Sequence, residues 1–315
     1  MLKRAARAAF HRGGGLRIAR WLNRNGLRIL MYHRFTDRAS LEAQCRHLRE
    51  CYRPLSMSEA AELLQAGTAL PANSVVVTVD DGYRDFFEIA YPVFLAHRIP
   101  ATVYLVTDFL DSKLWLWVDQ VRYAFVNTKL ESFRWGEREF ALKTAEERRQ
   151  SATEVCEALK RVPNEQRLSE LDSLAKRLGV GIPERPPRGL EPLSWDEVRE
   201  MARNGMEFGA HTRTHPVLSR VASRAALTDE IAGSKRRLEE MLDGPVRHFC
   251  YPNGARQDIG TDTVAVVREA GYGTAVTTEA GLNFAGQDLF ELRRIGVDPR
   301  YDAEYFQQCT AAVHL

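Results

Sequence analysis

Residues 74–85 place two adjacent carboxylates directly after a run of apolar residues. Residues 74–79 are almost entirely apolar on both faces, which is typical of a strand buried inside a parallel sheet. Gly82 permits a sharp turn, so Asp80 and Asp81 are expected side by side at the C-terminal end of this strand. Two like charges so close together bind a cation or share a proton. The alternative is a solvated turn, since Asp before Gly is ordinary turn chemistry.

The composition fits a globular protein with a buried core. The chain has 315 residues, 44% hydrophobic and 27% charged, with a formal net charge of +2. That length can hold two domains, or one β/α barrel of roughly 200–250 residues with a sizeable insertion. The small net charge argues against a polyanion-binding protein, so we predict no nucleic-acid partner. The five cysteines are widely spaced without a CxxC pair, which predicts reduced thiols and a cytoplasmic location.

The N-terminal segment is basic. The first 28 residues contain eight Lys or Arg and no acid, and apolar residues recur at helical spacing over residues 2–10. A basic amphipathic helix can lie on anionic lipid. We therefore treat residues 1–26 as a separate segment and predict peripheral contact of residues 1–28 with an anionic membrane at its inner face. The alternatives are a helix packed against the rest of the protein and a frayed end. No apolar run approaches the about 18 residues of a membrane span.

Strand and helix patterns alternate along most of the chain, which is the order that produces a parallel sheet. Seven apolar runs are predicted strands, and the C-terminal end of each is a candidate position for functional polar residues. These ends lie at His33, Asp80, Thr107, His211, Tyr251, Thr278 and Val297. The simplest arrangement of seven such strands is a barrel or a strongly curled parallel sheet.

The alternation breaks between residues 109 and 190, which we interpret as an insertion into a barrel formed by residues 27–108 and 191–315. The insertion contains an aromatic cluster, a predicted hairpin near Trp135 and two charged helices. Because it leaves from the C-terminal end of a strand, it should lie over the face where such folds keep their sites, as a lid would. Trp117 either packs in the core of this unit or stacks on a sugar.

A second polar cluster follows another strand. His211 and His215 are four residues apart, and on one helical turn that spacing brings two imidazoles to the same face. A lone pair of this kind is more often structural. Together with one carboxylate from another strand end, however, the pair makes the three-ligand set of a catalytic metal site with positions left open for water and substrate.

Three motifs in this order carry a resemblance to a known family. They are the DDG sequence at residues 80–82, HTxxH at residues 211–215 and the YPxG turn at residues 251–254. The chain resembles the polysaccharide deacetylases of the NodB homology type, carbohydrate esterase family four, from Tyr32 to Val297 apart from the insertion. The resemblance implies a distorted (β/α)7 barrel, here with a mostly helical insertion after the third strand.

The resemblance also implies an activity and a set of roles. Such enzymes are metal-dependent hydrolases that remove N-acetyl groups from amino sugars of a polysaccharide, an oligosaccharide or a lipid-linked glycan. The metal would be held by Asp81, His211 and His215, with Asp80 as general base, Asn253 at the oxyanion-donor position and Tyr251 near the substrate. Two nitrogens and one oxygen suit Zn²⁺ best, and Co²⁺, Ni²⁺ or Fe²⁺ fit the same donors.

The chain departs from the family pattern at two positions. Cys250 stands where many members have an arginine that holds the base, and Arg294 stands where they have the histidine that acts as general acid. His33 can substitute as the acid, or it is a core histidine bonded to a backbone carbonyl. Arg294 could orient a carboxylate or bind an anionic substrate, and Trp117 is a further candidate for substrate contact. These departures leave a catalytically impaired glycan-binding or scaffolding protein as the alternative function.

Overall fold

Seven parallel strands close into a barrel within residues 14–313, the part of the chain that the computed structural model describes. The strands of the chain, in order, are β1 (Arg28–Tyr32), β2 (Arg53–Pro54), β3 (Ser74–Val79), β4 (Ala101–Leu105), β5 (Ser132–Trp135), β6 (Arg138–Ala141), β7 (Glu207–Ala210), β8 (His248–Cys250), β9 (Thr274–Ala280) and β10 (Leu292–Gly296). The pairing order of the barrel strands is β1-β3-β4-β7-β8-β9-β10 and back to β1. The predicted (β/α)7 barrel is therefore confirmed.

Strand β3 is buried along its whole length. It pairs with β1 from Val75 to Val79, which closes the barrel. On its other side it pairs with the two-residue β2 at its start and with β4 at its end. The sequence did not indicate β2, because two residues are too short to show a hydrophobic period.

Helices connect the strands, and three helices within residues 14–313 begin with a capping box, at Ser56 with Glu59, Thr144 with Glu147 and Ser194 with Glu197. The helix after the acidic pair begins as a π-helical turn, Phe86–Ala90, and continues as the α-helix Tyr91–Ala96. The α-helices are Gly15–Leu22, Arg38–Cys51, Met57–Gln65, Tyr91–Ala96, Thr107–Leu110, Trp117–Asn127, Ala145–Leu159, Asn164–Arg177, Trp195–Arg203, Arg224–Leu242, Arg256–Ile259, Thr261–Glu269 and Ala303–Thr310.

The segment between β4 and β7 has a hydrophobic cluster of its own. Helix Trp117–Asn127, the antiparallel hairpin β5–β6 and helices Ala145–Leu159 and Asn164–Arg177 contribute to it. Trp117 belongs to this cluster and is only 3% exposed. The division of the chain into a barrel and an insertion at residues 109–190 stays a prediction.

The N-terminal helix Gly15–Leu22 precedes β1, so it lies toward the N-terminal ends of the strands, away from their C-terminal ends. Ile18, Trp21 and Leu22 on this helix are each about 60% exposed. The amphipathic residues 2–10 predicted to contact lipid lie outside the described residues. Within residues 14–313, none of the helices has the length and apolar character needed to span a bilayer.

Candidate metal centre and catalytic pocket

Strand β3 delivers both acids of the DDG motif to the C-terminal end of the barrel. The backbone turns abruptly there, with φ of +77° at Asp81 and +87° at Gly82. A Cβ at Gly82 would lie 2.8 Å from Cδ2 of Leu105, so the turn requires glycine for two reasons. Asp80 and Asp81 are 2% and 8% exposed, so both carboxylates are buried rather than solvated.

The two histidines come together on a loop and not on a helix. His211 follows β7 directly, and residues 211–217 have no helical conformation. The prediction of a shared helical turn was therefore wrong. Left-handed φ values at Thr212 (+68°) and His215 (+59°) fold the loop back on itself, and the Thr212 hydroxyl accepts the N–H of His215 at 3.0 Å. The hydrogen bond between Thr212 and His215 thus holds a loop where the spacing of the two histidines suggested a helical turn.

Two side chains from distant elements hold this loop. The carboxylate of Glu230, in helix Arg224–Leu242, accepts the backbone N–H groups of Arg213 and Thr214, both at 2.9 Å, and the hydroxyl of Thr214 at 2.6 Å. The indole N–H of Trp117 donates to the carbonyl of His215 at 3.1 Å. No motif marks Glu230 in the sequence, so its role could be found only from the fold.

Three donor atoms converge at the end of the barrel. Nε2 of His211 and Nε2 of His215 lie 3.5 and 3.6 Å from Oδ1 of Asp81. Four ligands at Zn–N and Zn–O distances of about 2.1 Å in a tetrahedron are separated by about 3.4 Å. The three atoms therefore have the spacing of ligands around one divalent cation.

The protonation states also suit a cation. Nδ1 of His211 donates to the carbonyl of Cys250 at 2.8 Å, which leaves Nε2 as the free acceptor. Burial lowers the pKa of His211 to about 4 and that of His215 well below its usual value, so both imidazoles are neutral. Burial, and then the charge of Asp80, raise the pKa of Asp81. A bound cation would favour the ionised carboxylate, so the three residues fit a divalent metal.

Asp80 is held by an arginine from an unexpected strand. Nη1 and Nη2 of Arg294, in β10, donate to its two oxygens at 2.7 and 2.8 Å. Burial favours the neutral acid, but the charge and hydrogen bonds of Arg294 outweigh it and hold the pKa of Asp80 well below its usual value. Cys250 occupies the family's arginine position on β8, with Sγ 3.2 Å from Nη2 of Arg294. Asp80, the predicted base, is therefore oriented, although the residue that orients it comes from another strand.

The geometry separates the two roles considered for Arg294. Its side chain is fully buried and its Nε donates to the carbonyl of Thr277 at 2.7 Å, so it has no open path to a substrate. A carboxylate-orienting role fits this environment. The signal in the sequence was the alternation along β10, which turns Leu292 and Arg294 inward.

A second cluster of donor atoms includes Asp80, His211 and Cys250. It is a poor candidate for a metal, because the guanidinium of Arg294 contacts both Asp80 and Cys250 and would repel a cation. Burial also raises the pKa of the Cys250 thiol, which keeps it protonated. We therefore consider only the cluster with Asp81 and His215 further.

The three candidate ligands line a cavity of about 360 Å³. Nε2 of His33 lies 3.7 Å from Oδ2 of Asp80, and its side chain is 46% exposed toward this space. Asn253 lies on the wall with a φ of +61°, and its side-chain nitrogen is buried without a hydrogen-bond partner. Tyr251 also lines the cavity, but its hydroxyl donates to the carbonyl of Phe290 at 3.0 Å.

The unit between β4 and β7 forms part of the cavity wall. Arg122 and Lys160 from this unit line the cavity, as Arg34 does from the loop after β1. Trp117 does not lie on the wall. Its indole bonds to His215, and the guanidinium of Arg167 lies 4.8 Å from its ring centroid. The structure thus favours core packing for Trp117 over the predicted contact with substrate.

Solved structures share this fold. The chain is similar to the Streptococcus pyogenes deacetylase PplD, solved in complex with acetate, with a TM-score of 0.61 and 20% identity over 91% of this chain and 99% of that one. At that identity the similarity establishes the fold alone.

Sequence comparisons agree with this structural similarity. YxkH, a Bacillus subtilis protein assigned to the polysaccharide deacetylases, is 22% identical over 89% of this chain and 74% of its own length. The poly-β-1,6-N-acetyl-D-glucosamine N-deacetylase of Escherichia coli K12 is 31% identical over 100 residues, which are 28% of this chain and 15% of that protein. The family model for polysaccharide deacetylases matches residues 67–275, well over half of the chain. The barrel, its motifs and this match together identify the chain as a member of the polysaccharide deacetylase family.

Proposed function

We propose that this protein is a metal-dependent amidohydrolase that removes N-acetyl groups from the amino sugars of a polysaccharide, an oligosaccharide or a lipid-linked glycan. The observation that carries the proposal is the convergence of Asp81, His211 and His215 on one point beside an ionised Asp80. The E. coli relative is named for removing acetyl groups from poly-N-acetylglucosamine, and this supports the substrate class.

Bound there, a divalent cation would raise the acidity of water and polarise the substrate carbonyl. Asp81 and the two histidines would hold it, and their two nitrogens and one oxygen suit Zn²⁺ best, with Co²⁺, Ni²⁺ and Fe²⁺ as alternatives. Asp80 would act as general base, since Arg294 keeps it ionised and pointed at the cavity. It accepts a proton from the attacking water as the water oxygen bonds to the carbonyl carbon.

Two further residues complete the proposed reaction. The backbone N–H of Asn253, on the cavity wall, would donate to the carbonyl oxygen as negative charge develops on it. His33 would give a proton to the amine nitrogen as the carbon–nitrogen bond breaks and acetate leaves. Burial lowers the pKa of His33, and the carboxylate of Asp80 3.7 Å away offsets this only in part, so the resting imidazole is neutral and would receive the proton that Asp80 takes from the water before giving it to the amine.

The alternative of a catalytically impaired scaffold was motivated by the missing arginine at position 250 and the missing acid histidine at position 294. Arg294 supplies the same contact to the base from β10. We therefore favour the hydrolase.

The His211→Ala variant tests the metal assignment. It should lose bound metal and lose acetate release from N-acetylglucosamine oligomers, because one of three ligands is gone. His97→Ala, which removes a histidine outside the cavity, is the matched control and should keep both properties. Metal content by elemental analysis and acetate by a coupled assay are the measurements. Wild-type protein that holds metal and binds the glycans without releasing acetate would instead support the scaffold.

We also propose a cytoplasmic protein that contacts the inner membrane face through residues 1–28. Ile18, Trp21 and Leu22 form an exposed apolar surface on helix Gly15–Leu22, and the guanidinium of Arg24 lies 4.5 Å from the Trp21 ring centroid. Apolar residues beside basic ones are the pattern of an interfacial helix. In this arrangement the catalytic cavity would open away from the bilayer, because the helix lies toward the opposite ends of the strands.

The Ile18→Ser/Trp21→Ser variant should bind vesicles containing phosphatidylserine at least about tenfold more weakly than the wild type, since two large apolar side chains no longer enter the interface. Co-sedimentation measures the partition. Leu168→Ser, which removes another exposed apolar side chain, is the control. Equal partition of all three proteins would remove the membrane proposal without affecting the hydrolase.

A further inference from the structure

A second cavity, of about 430 Å³, adjoins the catalytic one. The two share Lys160 and Asn253 in their walls. The second cavity lies between the C-terminal end of helix Ala145–Leu159, the turn at Arg220 and the loop that leads to Asp258. A substrate whose acetylated sugar fills the first cavity would extend into the second beside Asn253.

The second cavity contains more basic than acidic side chains. Lys160, Arg161 and Arg220 face Glu157 and Asp258. Lys160 pairs with Glu157 at 2.7 Å, which leaves the two arginines. Within residues 14–313, neither guanidinium forms a hydrogen bond or an ion pair with an acid.

Asp258 offsets one of these two charges. It is 9% exposed and lies in the wall of the same cavity. The second cavity therefore keeps an excess of positive charge next to the site where the acetyl group would react.

We propose that this second cavity binds a phosphoryl group attached to the sugar whose N-acetyl group occupies the catalytic cavity, an inference that rests on the proposed function. Arginine pairs with phosphate oxygens through two parallel hydrogen bonds, and within residues 14–313 the guanidiniums of Arg161 and Arg220 make no other hydrogen bond. A phosphate monoester offers three acceptor oxygens, enough for both guanidiniums, whereas a carboxylate offers two. The side-chain nitrogen of Asn253, buried without a partner where the cavities meet, can donate to the same group.

Positive charge on the wall of the catalytic cavity is paired with acids. Nε of Arg34 lies 2.6 Å from Asp85, and Nη1 of Arg122 lies 3.6 Å from Asp119. Among the arginines of residues 14–313 that line the two cavities, those without an ion-pair partner are therefore in the second cavity, which is where a phosphorylated sugar would be attracted.

Binding of the deacetylated product tests the proposal without any need for turnover. Isothermal titration calorimetry should show that the wild-type protein binds glucosamine 1-phosphate at least about tenfold more tightly than glucosamine, as charge-assisted hydrogen bonds require. In Arg161→Gln/Arg220→Gln this ratio should fall to near one. Arg49→Gln, an exposed arginine that lines neither cavity, is the matched control and should keep the ratio. Thermal melts establish that both variants fold.

Two further substrates distinguish the source of the phosphoryl group. UDP-N-acetylglucosamine presents it in a nucleotide sugar, and a polyprenyl-diphosphate N-acetylglucosamine in detergent presents it in a lipid. The substrate whose KM is raised more by the double change Arg161→Gln/Arg220→Gln identifies the source of the phosphoryl group. Equal wild-type affinities for glucosamine and its 1-phosphate, or a preference that survives the double change, would overturn the inference. Acetate release from a neutral N-acetylglucosamine oligomer is assayed in parallel, because its absence bears on the proposed function and not on this binding site.

Discussion

Asp80→Asn is expected to lower kcat for acetate release by about 10²–10⁴-fold, the usual contribution of a general base. Asparagine has nearly the same size and shape but cannot accept the proton of the attacking water. Metal content should stay at the wild-type level, because the proposed ligands are Asp81, His211 and His215. Steady-state kinetics on the metal-loaded variant, with elemental analysis of the same sample, is the measurement.

The metal analysis also separates the two donor clusters at this end of the barrel. Loss of metal from Asp80→Asn would mean that the cation is held by the cluster of Asp80, His211 and Cys250, which we have set aside. Asp243→Asn is the matched control, since Asp243 lies at a helix end with a φ of +52°, a conformation that asparagine tolerates. A variant at position 80 as active as this control would refute the assignment of the base.

Arg294→Met is expected to destabilise the protein by about 3–5 kcal/mol, the cost of removing one partner of a buried ion pair. Both side chains are almost completely buried, so the remaining carboxylate of Asp80 would lose its charged partner in the interior. Chemical denaturation at neutral pH measures the change. A decrease below about 1 kcal/mol, the range of exposed pairs, would contradict the importance of this contact.

The same substitution should change the pH dependence of activity. In the wild type, Arg294 holds the pKa of Asp80 below its unfolded value, so this carboxylate contributes stability above that value and loses it as the pH falls through the folded pKa. Without Arg294, burial raises the folded pKa, and the variant should become more stable as the pH falls. The acidic limb of the kcat/KM profile should therefore move upward by about one pH unit or more.

Two further variants distinguish charge from geometry. Asp80→Asn/Arg294→Met removes both charges, so its loss of stability should be smaller than the sum of the two single changes. Arg294→Lys keeps the charge but cannot form two parallel hydrogen bonds. The acidic limb of its kcat/KM profile should therefore lie much closer to that of the wild type than the limb of Arg294→Met does, whereas its free energy of unfolding should recover less. A strictly additive double variant would show that the two side chains do not interact.

The sequence alone determined those features that depend on nearby residues. A buried strand followed by Asp80, Asp81 and Gly82 requires its acids at the strand end, because the strand period and the turn are local properties. Seven apolar runs separated by helices indicated the parallel barrel for the same reason. The resemblance of three short motifs then indicated the family, which the family model confirms.

Contacts between distant parts of the chain could not be predicted from local sequence patterns. Arg294 reaches Asp80 from 214 residues away only because β10 closes the barrel against β1, next to β3. The loop of His211 and His215 bends through left-handed residues held by Glu230, so its shape differs from the helix that the spacing suggested. Whether Trp117 faces a sugar or a protein core likewise depends on which surfaces meet in the folded chain. Local sequence thus determined which chemical groups stand at the strand ends, and the closure of the barrel decided which partners they have, because pairing across the barrel follows from tertiary packing and leaves no local pattern.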